Sequence, residues 1–335
     1  MVKNTGHFCV HPFTYTEFHN RGQFLCCPDW NTTKIGEISG SLNDNWNSEE
    51  AEDVRNEMRK GNFKNCLPSA CPVLNTFLET GTASHTIKPL SELHTVENSR
   101  PHRIKICSDR PCNLQCPSCR SELFPNSNSS TERTTVLLEN IQKYYGSDLK
   151  EIFISGGGDP FYSNPLRDFL INFDNSRFPS LEEIIIHTNG IMLTPKLWNM
   201  MSEVHKYIHH IEISIDASTK DTYENKVRLR GKWDTLLDNL NFISTIDTIH
   251  SITTSFVTQK DNYKEMEDFV NLCQSIFNGK ASLFIQFYKI ADWGALPQDI
   301  LLDKQVWRKE HPEYGEFRKE VEKLKKYENV ISNFN

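Results

Sequence analysis

No stretch of the 335-residue chain approaches the run of about 20 apolar residues that a membrane-crossing helix needs. The first residues, Met-Val-Lys-Asn-Thr-Gly-His-Phe-Cys, also lack the apolar core of a secretory signal. Membrane spanning and export are therefore not expected, and the cytoplasm is the expected compartment. Excess positive charge is missing too. Lys and Arg number 37 against 44 Asp and Glu, a net charge of −7, which argues against a bulk electrostatic grip on nucleic acid while leaving room for a local basic groove. Cysteine, by contrast, is plentiful. Ten cysteines in a reducing compartment are expected to be ligands rather than disulfides.

Three of the ten stand close together in Cys107-Ser-Asp-Arg-Pro-Cys-Asn-Leu-Gln-Cys-Pro-Ser-Cys-Arg120. Three residues separate Cys112 from Cys116 and two separate Cys116 from Cys119, so one short loop can place three thiolates on neighbouring corners of a single metal cluster. A zinc knuckle would want a fourth Cys or His nearby, and none follows Cys119 before His187. Cys107 is the nearest upstream candidate. The alternation Arg103-Ile104-Lys105-Ile106-Cys107 places it inside a strand, where it reads as a buried small apolar residue. Iron–sulfur clusters usually take four cysteines, so a three-cysteine loop leaves one iron open to a ligand that is not protein.

This spacing, with Asn113-Leu114 between the first two cysteines and an apolar strand before them, resembles the cluster loop of the radical S-adenosylmethionine (radical SAM) enzymes. The resemblance implies a four-iron, four-sulfur cluster on Cys112, Cys116 and Cys119, whose open iron holds the amino and carboxylate groups of SAM. Many relatives have an aromatic residue just before the third cysteine; here it is Ser118.

Upstream, Cys9, the pair Cys26-Cys27, and Cys66 with Cys71 surround a predicted hairpin turning at Asn20-Arg21-Gly22. A predicted helix runs from about Ser48 to Lys60, with acidic residues in its first turn and Arg59-Lys60 in its last. Four of these thiols can complete one site, for zinc or for iron and sulfur. The passage resembles the SPASM/twitch module that many radical SAM enzymes carry for an auxiliary iron–sulfur cluster, in its first Cys, its Gly before a second Cys, its Trp-Asn-Ser-Glu-Glu helix with Arg55, and its final cysteine pair. It departs from the common layout in preceding the core. Only two cysteines follow the helix, which favours a single cluster of the twitch kind. Cys26 and Cys27 both remain candidates for the second ligand.

Residues 86–101 read as a linker. From 102 to 290, apolar runs alternate with amphipathic ones, as in repeated βα units with a parallel sheet. Six strands are expected, at 102–108, 149–155, 181–187, 209–215, 251–258 and 282–290, with helices between them. The expected fold is thus α/β, a partial (β/α)6 radical SAM barrel with a small β-hairpin/helix cluster-binding domain at 1–85 and a helical extension at 291–335. Functional residues in such sheets gather at the carboxyl ends of strands. After the second strand comes Gly156-Gly157-Gly158-Asp159-Pro160, similar to the family's Gly-Gly-Glu-Pro motif for the methionine amino group. After the third stands His187-Thr188-Asn189-Gly190. Ser214 and Asp216 close the fourth; by the resemblance, residues here meet the ribose and carboxylate of SAM. In Arg228-Leu229-Arg230-Gly231 either arginine suits a carboxylate clamp, with Arg230 as the named candidate.

The resemblance implies an enzyme that reductively cleaves SAM to a 5′-deoxyadenosyl radical and takes hydrogen from a substrate, a peptide or protein or a small metabolite. An electron donor such as a flavodoxin or ferredoxin and a probable second iron–sulfur cluster are the implied partner and cofactor, pointing to oxidative modification. The alternative is a non-catalytic iron–sulfur or zinc scaffold or redox sensor, which would not need SAM-binding residues at successive strand ends.

Overall fold

The computed structural model describes residues 4–97, 99–155 and 157–334. The chain divides into two compact units, one of Met1–Arg110, Asn128–Gly157 and Asp174–Glu183, the other of Pro111–Ser127, Gly158–Phe173 and Ile184–Asn335. Among the described residues no helix is long and apolar enough to cross a membrane.

In the first unit the strands are β1 (His7–Cys9), β2 (Tyr15–His19), β3 (Gly22–Phe24), β4 (Lys34–Gly36), β5 (Ile87–Pro89), β6 (Arg103–Cys107) and β7 (Glu151–Ile154). β2 and β3 form the expected antiparallel hairpin. Gly22 turns it at φ 137°, where a side chain would also collide with Lys34 and the Gly36 carbonyl. The other edge of β2 pairs in parallel with β6, from Tyr15 opposite Arg103 to His19 opposite Cys107, and β6 pairs in parallel with β7. The amino-terminal hairpin is thereby built into the sheet that carries the first core strand, in the order β4-β3-β2-β6-β7.

The stretch read as a linker holds β5, which pairs antiparallel with β1, and a 3-10 turn at Leu90–Thr95. A three-residue strand is too short to show a period. The helix Glu49–Arg59 starts as its sequence dictates, with Ser48 Oγ accepting from the Ala51 amide. It buries Ala51, Val54, Arg55 and Met58. Met58 packs with Phe8, Phe13, Phe63, Leu74, Phe77 and Ile87 in one apolar cluster. Arg55 lies 4.4 Å from the centre of the Trp46 ring and donates from Nε to the Pro12 carbonyl at 2.8 Å. This gives the Trp-to-Arg motif a structural task, locking the helix to the entry of β2.

The second unit contains β8 (Glu183–Thr188), β9 (His210–Ser214), β10 (Ser251–Thr258), β11 (Ser282–Lys289) and β12 (Val330–Ser332), all parallel and adjacent in that order. The six core strands expected from the sequence are β6 to β11, each within two residues of its predicted ends. On β8 and β9, Ile184, Ile186, Ile211 and Ile213 are buried, while Ile185, His187, Glu212 and Ser214 share the half-buried face, the period-two pattern of a strand. In the helix Met266–Phe277, Phe269, Cys273 and Phe277 are buried, the core role expected of Cys273. Segment 291–335 has two helices, Gln298–Lys304 and Tyr314–Leu324, and also β12, which pairs with β11. The fold class is α/β with parallel strands.

Candidate functional site

The three-cysteine loop follows β6 in the chain. Cys112 and Cys116 are buried with Leu114 in a small apolar cluster, and Cys119 is exposed. A tight turn, in which the Cys119 and Arg120 amides both donate to the Cys116 carbonyl at 2.9 and 3.0 Å, places the second and third sulfurs near each other. Every sulfur meets an N–H donor. The Leu114 amide and Asn189 Nδ2 reach Cys112 Sγ at 3.5 and 3.7 Å, Arg228 Nη1 reaches Cys116 Sγ at 3.6 Å, and Arg120 Nη2 reaches Cys119 Sγ at 3.6 Å. Burial, reinforced by Asp159, pushes the Cys112 thiol up to about 11; burial raises Cys116 as well, opposed by Arg228. Both are therefore thiols at neutral pH until a metal displaces their protons.

Asp159, fully buried, occupies the place where the sequence suggests an ammonium acceptor. Its Oδ1 accepts from the Phe161 and Tyr162 amides at 3.0 and 3.3 Å, and its Oδ2 from Thr188 Oγ1 and the Asn189 amide at 2.7 and 2.8 Å. Burial still raises its pKa, against those four donors. The carboxylate is thus engaged in tying its own loop to the end of β8. That bond orients Asn189, whose side-chain Nδ2 donates to Asn113 Oδ1 at 2.9 Å as well as approaching Cys112. Gly158 beside it is half-buried. Gly157 is packed so tightly in its own unit that an added Cβ would stand 2.7 Å from the Asp109 carbonyl, so only glycine fits. Gly156 lies outside the described residues.

Ser214 and Asp216 separate where parity alone would pair them. Ser214 sits in a hydrogen-bonded row, with His187 Nε2 at 2.7 Å and Ser255 Oγ at 3.0 Å, and Glu212 lies 3.5 Å from His187 Nδ1. Asp216 follows the strand end with φ 66°, a conformation Asp tolerates, which breaks the alternation and buries its carboxylate. There Oδ1 accepts from the Val257 amide at 2.7 Å and Oδ2 pairs with Arg228 Nη2 at 2.8 Å. Burial opposes the charge on Arg228, but Asp216 and Cys116 hold it firmly protonated. Of the two arginines in the Arg-Leu-Arg-Gly turn, Arg228 is the buried one beside the cysteine loop, and Arg230 is exposed, with φ 71°. Of these neighbours of sulfur, the sequence offers Arg228 only as one of two arginines and Asn189 only within its turn motif, and it leaves Arg120 unnamed; burial marks all three.

In the first unit, Cys9, Cys26, Cys66 and Cys71 line one cavity of about 30 Å³, together with His11 and Trp30. Cys27 does not line it. The charged groups around its thiol are Glu17, Asp29 and Lys105. Cys71 Sγ also accepts from the Leu74 amide at 3.4 Å, capping the next helix. Burial raises Cys9 and Cys26, and raises Cys66 to about 12, while neighbouring thiols add to each shift.

His11 faces Cys26, with Nδ1 3.7 Å from Sγ, and burial, with Arg103 adding, lowers its pKa from 6.5 to about 4. A lowered imidazole pKa means the unfolded chain binds the extra proton first, so stability is full above about 6.5 and is lost as pH falls toward about 4. In chelator-treated protein the unfolding midpoint is expected to fall across that window, and His11→Gln to flatten the fall. Equal slopes in the two proteins would contradict this role for His11.

Residues 110–273 match the family model of the Radical SAM superfamily. Two curated relatives, the GTP 3',8-cyclases of Clostridium perfringens strains SM101 and 13, are each 23% identical over 171 residues, covering 50% of this chain and 50% of theirs. The chain thus spans about half the length of the curated relatives it matches. Among solved structures, TYW1 with a lysine-pyruvate adduct bound aligns with 77% of this chain and 82% of its own, at TM-score 0.39 and 16% identity. Native anSMEcpe with bound AdoMet and the Cp18Cys peptide aligns with 68% of this chain and 62% of its own, at TM-score 0.40 and 15% identity.

Proposed function

We propose that this chain, whose residues 110–273 form a Radical SAM superfamily domain, is a radical SAM enzyme that acts on a peptide or protein or on a small metabolite. The observation that carries the reading is the three-cysteine loop, in which every sulfur meets an N–H donor and Arg120 lies within electrostatic reach of all three. The residues present fit a cluster with one open iron. Soft thiolates with N–H donors pointing at sulfur are what such clusters bind. Arg228 Nε and the Tyr223 hydroxyl are buried with no hydrogen-bond partner among the described residues, leaving donors beside Cys116 for a group not made of protein.

When bound, a four-iron, four-sulfur cluster with SAM supplies reductive cleavage of the sulfonium and a 5′-deoxyadenosyl radical able to take hydrogen from a substrate. Cys112, Cys116 and Cys119 hold the cluster. Asn189 is aimed by Asp159, and Arg228 is held by Asp216, so both donors keep fixed positions. His187, Glu212 and Ser214, half-buried, and the buried Ser255 form a hydrogen-bonded polar row.

The four thiols of Cys9, Cys26, Cys66 and Cys71 suit a second, auxiliary iron–sulfur cluster of the SPASM/twitch kind. With four protein ligands it would pass electrons and not bind substrate, which favours an oxidative reaction. A flavodoxin or ferredoxin is the fitting electron donor. All ten cysteines are free, which suits the reducing cytoplasm.

Anaerobic incubation of the iron-loaded protein with SAM and dithionite tests the reading. 5′-Deoxyadenosine and methionine are expected to accumulate. A protein that holds iron and sulfide yet forms neither would be a scaffold or sensor.

A further inference from the structure

The hairpin strand β2 and the core strand β6 run in parallel with His19 opposite Cys107 and Glu17 opposite Lys105. Glu17 and His19, two residues apart, share a face of β2, and Cys107 shares one with Arg103 and Lys105 on β6. A carboxylate oxygen of Glu17, a ring nitrogen of His19 and the Cys107 sulfur consequently lie within 4.8 Å of one another. Glu17 is buried, the other two half-buried. This corrects the expectation that Cys107 is an apolar core residue. Ile104 and Ile106 take the buried face of β6, and odd-numbered positions take the polar one.

We propose that Glu17, His19 and Cys107 form the core of a site for one zinc-class divalent ion, with Cys27, from the residue pair after β3 and outside that 4.8 Å group, moving in as the fourth ligand. The donor set is a carboxylate, an imidazole and two thiolates, a mixture that selects a borderline ion over magnesium or calcium. Tetrahedral zinc keeps its ligand atoms roughly 3 to 4 Å apart, and the triad spacing needs only small adjustments to reach that. Glu17 Oε2 already stands 2.7 Å from His19 Nε2. The Tyr15 hydroxyl donates to Glu17 Oε1 at 2.6 Å, the kind of outer partner that orients a ligating carboxylate.

A carboxylate–imidazole pair would be satisfied without a metal, but it does not account for the two thiols. The Cys107 sulfur stands within 4.8 Å of a Glu17 carboxylate oxygen, and Glu17 is the strongest charge acting on Cys27. Three acidic groups around one point repel unless a cation joins them. With both thiols ionised, two negative sulfurs and one carboxylate against a divalent ion leave one negative charge, which Lys105, an electrostatic neighbour of Glu17, Cys27 and Cys107, cancels.

Its ligands come from β2, from β6 and from the residue pair after β3, so the ion would staple the hairpin to the first core strand. The adjacent cysteines divide: Cys26 lines the four-thiol cavity, and Cys27, which does not, would serve the mixed site. This proposal stands apart from the radical SAM reading and does not need it.

The test is zinc content of the full chain, iron-loaded anaerobically, incubated with zinc and desalted, together with the zinc K-edge absorption spectrum. About one zinc per chain is expected, bound by two sulfurs and two nitrogen or oxygen atoms. His19→Gln and Cys107→Ser are expected to reduce zinc at least about 10-fold with iron unchanged, whereas Cys66→Ser should keep the zinc. Three results would overturn the proposal: no zinc in the unaltered chain, zinc retained in both variants, or a four-sulfur shell lost in Cys66→Ser. Should either variant not fold, the spectrum of the unaltered chain decides alone.

Discussion

Replacing Cys116 with alanine is expected to lower 5′-deoxyadenosine formation at least about 100-fold, since even outer-shell partners of a metal cost 10- to 100-fold and this residue is proposed as a ligand. Cys116 is the middle of the three cysteines, its carbonyl accepts the two amides that shape the turn, and its sulfur faces Arg228. Removing the thiol leaves two ligands, one of them exposed, too few to retain a cluster. Iron should fall by about four per chain, while iron held at the proposed auxiliary site stays. Cys273→Ala is the matched control, a buried helix cysteine whose loss should leave SAM cleavage intact. Retained cleavage in the Cys116 variant would remove the loop from the mechanism.

The second large effect belongs to the buried pair Asp216–Arg228. Arg228→Ala leaves the Asp216 carboxylate buried without its cation, a loss of about 3–5 kcal/mol, or a fall in unfolding midpoint on the order of 10 °C. It also removes the donor facing Cys116, so iron should be held less tightly. Asp216→Asn should cost less stability, because the Val257 amide still finds the side-chain oxygen. Joining Asp216→Asn with Arg228→Ala should cost less than the sum of the two, since no unpaired charge remains. Thermal unfolding of the three proteins checks this. Simple additivity would mean that the ion pair does not couple the two residues.

Much of this was legible in the sequence wherever period and spacing act locally. The six core strands follow from short apolar runs, alternating with isoleucine in β6, β7 and β9. The cap at Ser48 and the hairpin at Gly22 follow from side-chain and backbone chemistry within a few residues. The three-cysteine loop is recognisable because its ligands are contiguous.

What escaped the sequence depends on contacts between distant segments or on a break in a period. The parallel pairing of β2 with β6 joins residues about 90 positions apart, and nothing local announces it. Asp216 leaves the face it shares with Ser214 because its φ is positive, so parity misplaces it. Arg228 and Arg230 look alike in sequence, and burial alone tells them apart. The Cys26-Cys27 pair follows the same logic, its members divided by which surroundings each thiol meets. Cys107 was different. Its parity with Lys105 is readable and places it on the polar face of β6, against the general tendency of cysteine toward burial.

The central claim is that three thiolates leave one iron open for SAM. Electron paramagnetic resonance of the dithionite-reduced, anaerobically loaded Cys66→Ser protein, recorded with and without SAM, isolates that iron from the auxiliary site. A signal whose g values shift on adding SAM, and which is absent from the Cys66→Ser/Cys116→Ala protein, is the expected result. A reduced cluster whose spectrum is the same with and without SAM would contradict it.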